Sequence, residues 1–213
     1  MADHEYSILN HDRSQVFHYI GSCISVIAAG YAAAVGLLGI FIQKIFPHVP
    51  SVLPKALDSA LAFAVLYYVF NKWIWRWFIC RKLFKLHDVA GTWRVEGRTL
   101  GPAEALAPEG TLRTWHGRIK INQQWTKIGV RLETQHSESV SKSAALQDDD
   151  GCARLMYAYG NVPDVRARAT TGLHDHVGYC ELKFSEDGQT GEGFYFNNMG
   201  RFTHGWMRLT KEK

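Results

Sequence analysis

A long stretch without charged residues is the feature that most limits how this chain can fold. No Asp, Glu, Lys or Arg occurs between Arg13 and Lys44. A helix needs roughly 20 apolar residues to cross a hydrocarbon core about 30 Å thick, and this stretch is longer than that. A helix that packs on a soluble core would show a polar stripe, and this segment shows none. The pattern predicts a membrane-spanning helix over residues 18–42.

A second apolar segment follows a turn rich in proline. Three prolines between residues 47 and 54 prevent the first helix from continuing. Residues 56–79 then predict a second span, which ends in tryptophans and a basic cluster as spans do at the headgroup region. We expect a cytoplasmic segment at 1–17 and a loop at 43–55. Because flanks rich in Lys and Arg stay inside, both chain termini are expected in the cytoplasm.

Small residues recur at every fourth position of the first predicted span. Gly21, Ser25, Ala29 and Ala33 form one such row. Small residues at this spacing let helices approach closely in lipid. The row predicts either packing against the second span of the same chain or self-association between chains, and the sequence favours neither.

The remainder of the chain, residues 86–213, carries the pattern of β-strands. Apolar and polar residues alternate with a period of two in runs such as KIGVRLET and HVGYCELKF. Turns with Asp-Gly or paired Asn join the runs, because these residues allow the positive φ of tight hairpins. We count eight strands, which suit a closed barrel wide enough for one small ligand. The predicted fold is a membrane-anchored all-β protein, in which a two-helix transmembrane hairpin precedes a small eight-stranded antiparallel, calycin-like β-barrel.

The composition argues against several functional classes. A net charge of +4 is too mild for binding a DNA or RNA polymer. The four cysteines form no C-x-x-C pair, which favours reduced thiols. His174 and His176 have the spacing of metal ligands on a strand, but no third ligand can be named. No nucleophile elbow or phosphate-binding loop is present. We therefore expect neither an enzyme nor a metal or other cofactor.

Polar and aromatic residues on the predicted strands suit a nucleotide-like ligand. Arg pairs with phosphate, aromatic rings stack on bases, and hydroxyl and amide groups bond to base edges. The predicted ligand-binding residues are Arg131, Thr134, Ser137, Ser139, Tyr157, Tyr159, Tyr195, Asn197 and Arg201. Ordinary core packing and solvated strand faces are the competing interpretations. A register error of one residue would also exchange the inner and outer faces.

Three runs of the strand region resemble a known family. They are Thr-Gln-His-Ser-Glu-Ser-Val-Ser, Tyr-Ala-Tyr-Gly-Asn-Val-Pro and Gly-Phe-Tyr-Phe-Asn-Asn. Together with the two predicted spans and the basic junction, they resemble the two-transmembrane, β-strand-rich effectors of bacterial cyclic-oligonucleotide anti-phage signalling (CBASS). The resemblance covers nearly the whole chain.

The resemblance implies a specific function. The barrel of such an effector is a receptor for a cyclic dinucleotide that a partner nucleotidyltransferase makes after infection. Binding drives oligomerisation in the bacterial inner membrane, the spans disrupt the bilayer, and the cell dies before the phage matures. The expected partners are thus a cyclic dinucleotide, the lipid bilayer and further copies of the chain.

Other functions remain open at this point. Gly91-Thr92-Trp93 is similar to the G-x-W start of lipocalin-type barrels, in which the Trp closes one end. The first alternative is therefore a membrane-tethered, lipocalin-like carrier or sensor of an apolar small ligand, which requires an apolar cavity. An enzyme built on the two histidines and a purely structural anchor with a filled barrel are the others.

Overall fold

The structure is a computed structural model with two compact units, one formed by Met1–His11 with Arg81–Lys213 and the other by Asp12–Cys80. The residues that it describes are 3–9, 13–45, 59–77, 80–82, 86–100, 113–164, 175–198 and 203–212.

The first unit is a closed barrel of nine strands within the described residues. In chain order the strands are β1 (His4–Leu9), β2 (Gly91–Leu100), β3 (Arg113–Gln123), β4 (Lys127–Thr134), β5 (Ser137–Asp149), β6 (Cys152–Pro163), β7 (His176–Phe184), β8 (Thr190–Asn197) and β9 (His204–Lys211). Around the barrel the order is β1-β4-β3-β2-β9-β8-β7-β6-β5, with a further β4–β5 pairing. Buried and half-buried residues alternate along β6, so its inner face is the apolar one that the period of two predicts.

The N-terminal strand β1 completes the barrel at a seam between β4 and β5. These two strands pair directly only from Arg131↔Val140 to Glu133↔Glu138, and a bulge follows between Ser141 and Ser143. Beyond the bulge β5 leaves β4, and β1 fills the gap, antiparallel to β4 and parallel to β5. The expectation of eight strands is therefore wrong. This strand is only six residues long, and a long helical segment separates it from its partners in sequence.

Aromatic and aliphatic side chains fill one end of the barrel. Trp93 is fully buried there, 4.9 Å from the ring of Phe184 between centroids. Its indole N–H donates to the Val89 carbonyl oxygen at 3.2 Å, and the Lys211 ammonium lies 5.1 Å from the ring centroid. The filled end leaves space for a ligand only toward the opposite end.

The second unit contains two helices, α1 (Arg13–Ile45) and α2 (Ser59–Lys72), and a 3-10 helix at Ile74–Arg76. Within the described part of the chain, neither is long and apolar enough to cross a membrane. The predicted transmembrane hairpin, with spans at 18–42 and 56–79, is therefore wrong. The 14 residues of α2 rise only about 21 Å at 1.5 Å per residue.

The first predicted span lies within the longer helix α1. The predicted localisation, a multi-pass protein of the bacterial inner membrane with both termini in the cytoplasm, rested on the two spans and is wrong with them.

The row of small residues on α1 has open space beside it. A Cβ added at Gly21 would meet no atom of the described residues within 4 Å. Its role in self-association stays a prediction, as do the boundaries predicted for the segments of the chain.

Candidate functional site

A cavity of about 580 Å³ occupies the end of the barrel opposite Trp93. It lies where β2, β4, β6 and β8 end and where β5 and β7 begin. Its volume falls within the roughly 300–1,000 Å³ of ordinary small-molecule sites. The described residues that line it are Thr99, Thr114, Trp115, His116, Leu132, Thr134, Gln135, His136, Ser137, Ser139, Tyr157, Tyr159, Asn161, His176, Cys180, Tyr195, Asn197, Thr203 and Met207.

One wall of the cavity is a hydroxyl and amide cluster on β4, β5 and β6. The Asn161 amide nitrogen donates to the hydroxyl oxygens of Ser139 at 2.8 Å and Ser137 at 3.1 Å. At the tight turn between β4 and β5, the Thr134 hydroxyl accepts the Ser137 backbone N–H at 3.2 Å. These bonds hold the polar side chains in place before any ligand arrives.

The opposite wall is built from β2, β3, β8 and β9. The Tyr195 hydroxyl lies 2.7 Å from the Thr99 hydroxyl and accepts the indole N–H of Trp115 at 3.2 Å. The Trp115 and Tyr195 rings meet edge to face, with centroids 5.9 Å apart. Nearby, the Asn197 amide oxygen accepts both the backbone N–H and the hydroxyl of Thr203, each at 3.0 Å. This wall thus combines an aromatic surface with the amide of Asn197, which Thr203 holds in place. The first wall likewise contains an amide held by hydrogen bonds, that of Asn161.

A group of rings continues the first wall along β6 and β7. The Tyr157 and Tyr159 rings lie 6.2 Å apart, and Tyr159 meets the His176 ring edge to face at 6.5 Å. Burial raises the pKa of Tyr157 well above its usual value. Burial also raises the pKa of the neighbouring Cys180 thiol to about 12. Both groups are therefore neutral and act as hydrogen-bonding and packing groups, since neither ionises near pH 7.

The described lining contains no Asp, Glu, Lys or Arg; its ionisable side chains are three histidines, three tyrosines and one cysteine. An anionic ligand in this part of the cavity would be bound through N–H and O–H donors, and no carboxylate would repel it. Within the described ranges, no group of three His, Cys, Asp or Glu is placed to hold a metal ion. His174 lies outside those ranges, and His176 faces the cavity.

Seven of the nine predicted ligand-binding residues line this one cavity: Thr134, Ser137, Ser139, Tyr157, Tyr159, Tyr195 and Asn197. Arg131 does not; it bonds to Glu138, and its Nε lies 3.1 Å from Glu133. The hydrogen bond that Arg131 donates to Glu138 raises the Arg131 pKa. Arg201 lies outside the described residues. That the seven bind a ligand stays a prediction, although the structure brings them together.

Sequence reasoning missed two side chains that the cavity contains, Trp115 and Asn161, and considered His176 only as a metal ligand or catalytic group. A signal for Asn161 was available, because it continues the alternation of Tyr157 and Tyr159 along one face of the same strand. The same kind of signal existed for Trp115, which lies on the face of β3 that carries the buried Ile119 and Ile121.

A closed barrel with a preorganised cavity of rings, amides and hydroxyls at one end defines a receptor for a polar, ring-bearing small molecule. Comparison with known proteins shows which family of receptors the chain resembles. Residues 84–211 match the family described as Cap15, cyclic dinucleotide receptor domain. The chain is also 31% identical over 215 residues to CD-NTase-associated protein 15 of Yersinia aleksiciae, covering 99% of this chain and 98% of that protein.

The chain therefore belongs to the Cap15 family of cyclic dinucleotide receptors. It is a CBASS effector that senses cyclic nucleotides, which confirms the family resemblance of the sequence at this level. The two-transmembrane detail of that resemblance is not confirmed.

Proposed function

We propose that the cavity at the open end of the barrel is the binding site for the cyclic dinucleotide, and that binding drives self-association of the chain. The chain acts by binding, catalyses no reaction and requires no cofactor. The observation that carries the proposal is the pairing of rings with an ordered amide on each of two facing walls. A cyclic dinucleotide presents two bases, and each wall offers one base a ring to stack on and an amide for its edge.

The phosphates of the ligand are met by neutral donors in the described lining. Threonine and serine hydroxyls and the histidine rings can each donate to a phosphate oxygen, and hydrogen bonds to an ionised acceptor are roughly twice as strong as neutral ones. Arg201 remains our candidate for a direct charge contact. Arg131 does not, because it faces away from the cavity toward two carboxylates.

The polarity of the cavity argues against the carrier of an apolar ligand. That alternative requires a lining of Ile, Leu and Phe. The aliphatic side chains in the described lining are Leu132 and Met207, and most of the others carry a hydroxyl, amide or ring nitrogen. The space in the barrel likewise argues against a filled, purely structural anchor.

The test is a calorimetric titration of the full-length chain with a panel of cyclic dinucleotides. We expect saturable binding with Kd of about 1 μM or tighter, which corresponds to about −8 kcal/mol. A folded, monodisperse chain that gives no heat with any member would refute the proposal.

Neighbouring residues on β8 provide a matched pair of variants. Tyr195 points into the cavity, whereas Phe194 points outward and is 46% exposed. Stacking of an aromatic ring on a base contributes about 1–3 kcal/mol. Tyr195→Ala should therefore weaken binding by about 5- to 150-fold, and Phe194→Ala should leave Kd within about twofold. Melting temperatures of both variants separate a loss of contact from a loss of folding.

The step after binding is tested separately. Self-association predicts that a saturating messenger increases the sedimentation coefficient of the wild-type chain but not of Tyr195→Ala. Damage to the bacterial membrane and cell death, which the resemblance implies, stay predictions. Uptake of a membrane-impermeant dye by cells that make the messenger would check them.

A further inference from the structure

The side-chain amide of Asn197 has an orientation that its partners fix. Its Oδ1 accepts the backbone N–H of Thr203 at 3.0 Å, and a backbone N–H can only donate, so the atom that it meets is the oxygen. The Thr203 hydroxyl occupies the same oxygen at 3.0 Å. Among the described residues none accepts a hydrogen bond from the Asn197 amide nitrogen. Asn197 is only 7% exposed, and its amide nitrogen is a donor in the wall of the cavity without a partner among the described residues.

The other amide of the cavity, on Asn161, is held differently. Both of its amide-nitrogen contacts are to serine hydroxyls, Ser137 and Ser139. A hydroxyl can donate or accept. The Asn161 amide can therefore turn over and keep two partners, so its contacts to the two serines do not fix its orientation. In the orientation seen here its Oδ1 has no partner among the described residues.

The two amides are too far apart to read one base. Asn161 lies on β6 opposite His176, and Asn197 lies on β8 opposite Gly178, so β7 separates them. Two strand spacings of about 4.8 Å each, with an offset of two residues along the strand, place them on the order of 10 Å apart. Each amide therefore faces a different base of a ligand that carries two.

We infer that Asn197 selects one base of the messenger. It favours a base whose edge presents a carbonyl oxygen, as uracil and guanine do, and it disfavours adenine. This inference rests on the proposed function. An asparagine reads adenine by a bidentate contact that needs both its oxygen and its nitrogen. The Asn197 oxygen is already occupied by Thr203, so the adenine amino group would find no acceptor on this residue. The Asn161 half tolerates either kind of base.

The experiment compares messengers that differ in this property at matched size. The purine series is cyclic di-GMP, cyclic GMP–AMP and cyclic di-AMP, and the uracil series is cyclic di-UMP and cyclic UMP–AMP. In calorimetry with the full-length chain, we compare Kd values within each series. A messenger with one carbonyl-bearing base should have a Kd within a few-fold of that of the messenger with two carbonyl-bearing bases. Cyclic di-AMP should bind at least about tenfold more weakly than the best of them, a difference of about 1.4 kcal/mol.

Two isosteric variants separate selection from charge. Asn197→Asp keeps an oxygen for the Thr203 N–H and replaces the free donor with an acceptor. The ratio of Kd for cyclic di-AMP to Kd for the best carbonyl-bearing messenger should then fall at least about tenfold. Asn161→Asp adds the same negative charge to the same cavity, so it should weaken all messengers and leave that ratio within about twofold.

The outcomes distinguish the two proposals. If no messenger binds to the folded wild-type chain, the proposed function fails. If messengers bind but cyclic di-AMP binds as tightly as the best carbonyl-bearing one, or Asn197→Asp leaves the ratio unchanged, the proposed function stands and the role of Asn197 in selection is refuted.

Discussion

Replacing Tyr6 with Ala tests whether β1 is a structural strand of the barrel. Tyr6 is 3% exposed, and its hydroxyl donates to the Gln124 carbonyl oxygen at 3.2 Å. Truncation of a large buried ring costs about 3–5 kcal/mol, and the lost hydrogen bond adds about 1 kcal/mol. With the lower end of this sum, about 4 kcal/mol, and a denaturant dependence of about 2 kcal/mol/M, the urea midpoint should fall by at least about 2 M.

The assay has internal controls and a local readout. Tyr6→Phe removes only the hydroxyl and should cost about 1 kcal/mol, while Ser7→Ala on the exposed side of β1 should stay within about 0.5 kcal/mol. Hydrogen exchange should accelerate in Tyr6→Ala near the register partners Ile128 and Ala144. A midpoint within about 0.3 M of wild type, with unchanged exchange on β4 and β5, would refute the docking of β1.

Three further predictions concern the barrel. In Gly178→Ala the new Cβ would lie 2.4 Å from the Tyr159 hydroxyl, so displacement of that ring should cost about 1–3 kcal/mol of stability and weaken messenger binding in calorimetry. The Asp149 pKa is lowered to about 2, chiefly by its hydrogen bond from Lys183. Because this value lies below the unfolded one of about 3.9, the contribution of the pair is present above about pH 4 and is lost as pH falls toward 2; urea unfolding should show that loss, and Asp149→Asn should lack it. The raised pKa of the buried Cys180 thiol should make it unreactive toward maleimide at pH 7.5 until the barrel unfolds, and peptide mass mapping detects the change.

The strands from β2 onward were predictable because local rules decide them. Turn chemistry shows this well: Asp150 and Gly151 have φ of 51° and 86°, and Gly188 has φ of 63°, at two of the turns expected from Asp-Gly pairs. The strand β1 was not predictable, since its partners Ile128 and Ala144 are more than a hundred positions away and six residues give a weak alternation.

The membership of the cavity could be predicted only in part. Alternation divides a strand into two faces without saying which one is inside, and the structure places Tyr157, Tyr159, Tyr195 and Asn197 on the inner side. Which amide has a fixed orientation depends on Thr203, a residue in a connection that no sequence pattern relates to β8. Arg131, the predicted phosphate contact, does not line the cavity. Two carboxylates hold it outside, Glu133 on its own strand and Glu138 on the next one.

The position of β1 makes the helical segment an insertion in the barrel and not an N-terminal extension of it. Because one strand precedes them and eight follow, residues 12–80 are an insertion within the barrel sequence, tied to it by two covalent tethers. The strand at which the chain leaves the barrel for this insertion is β1, which lies in the seam between β4 and β5, the strands that supply Thr134, Ser137 and Ser139 to the cavity.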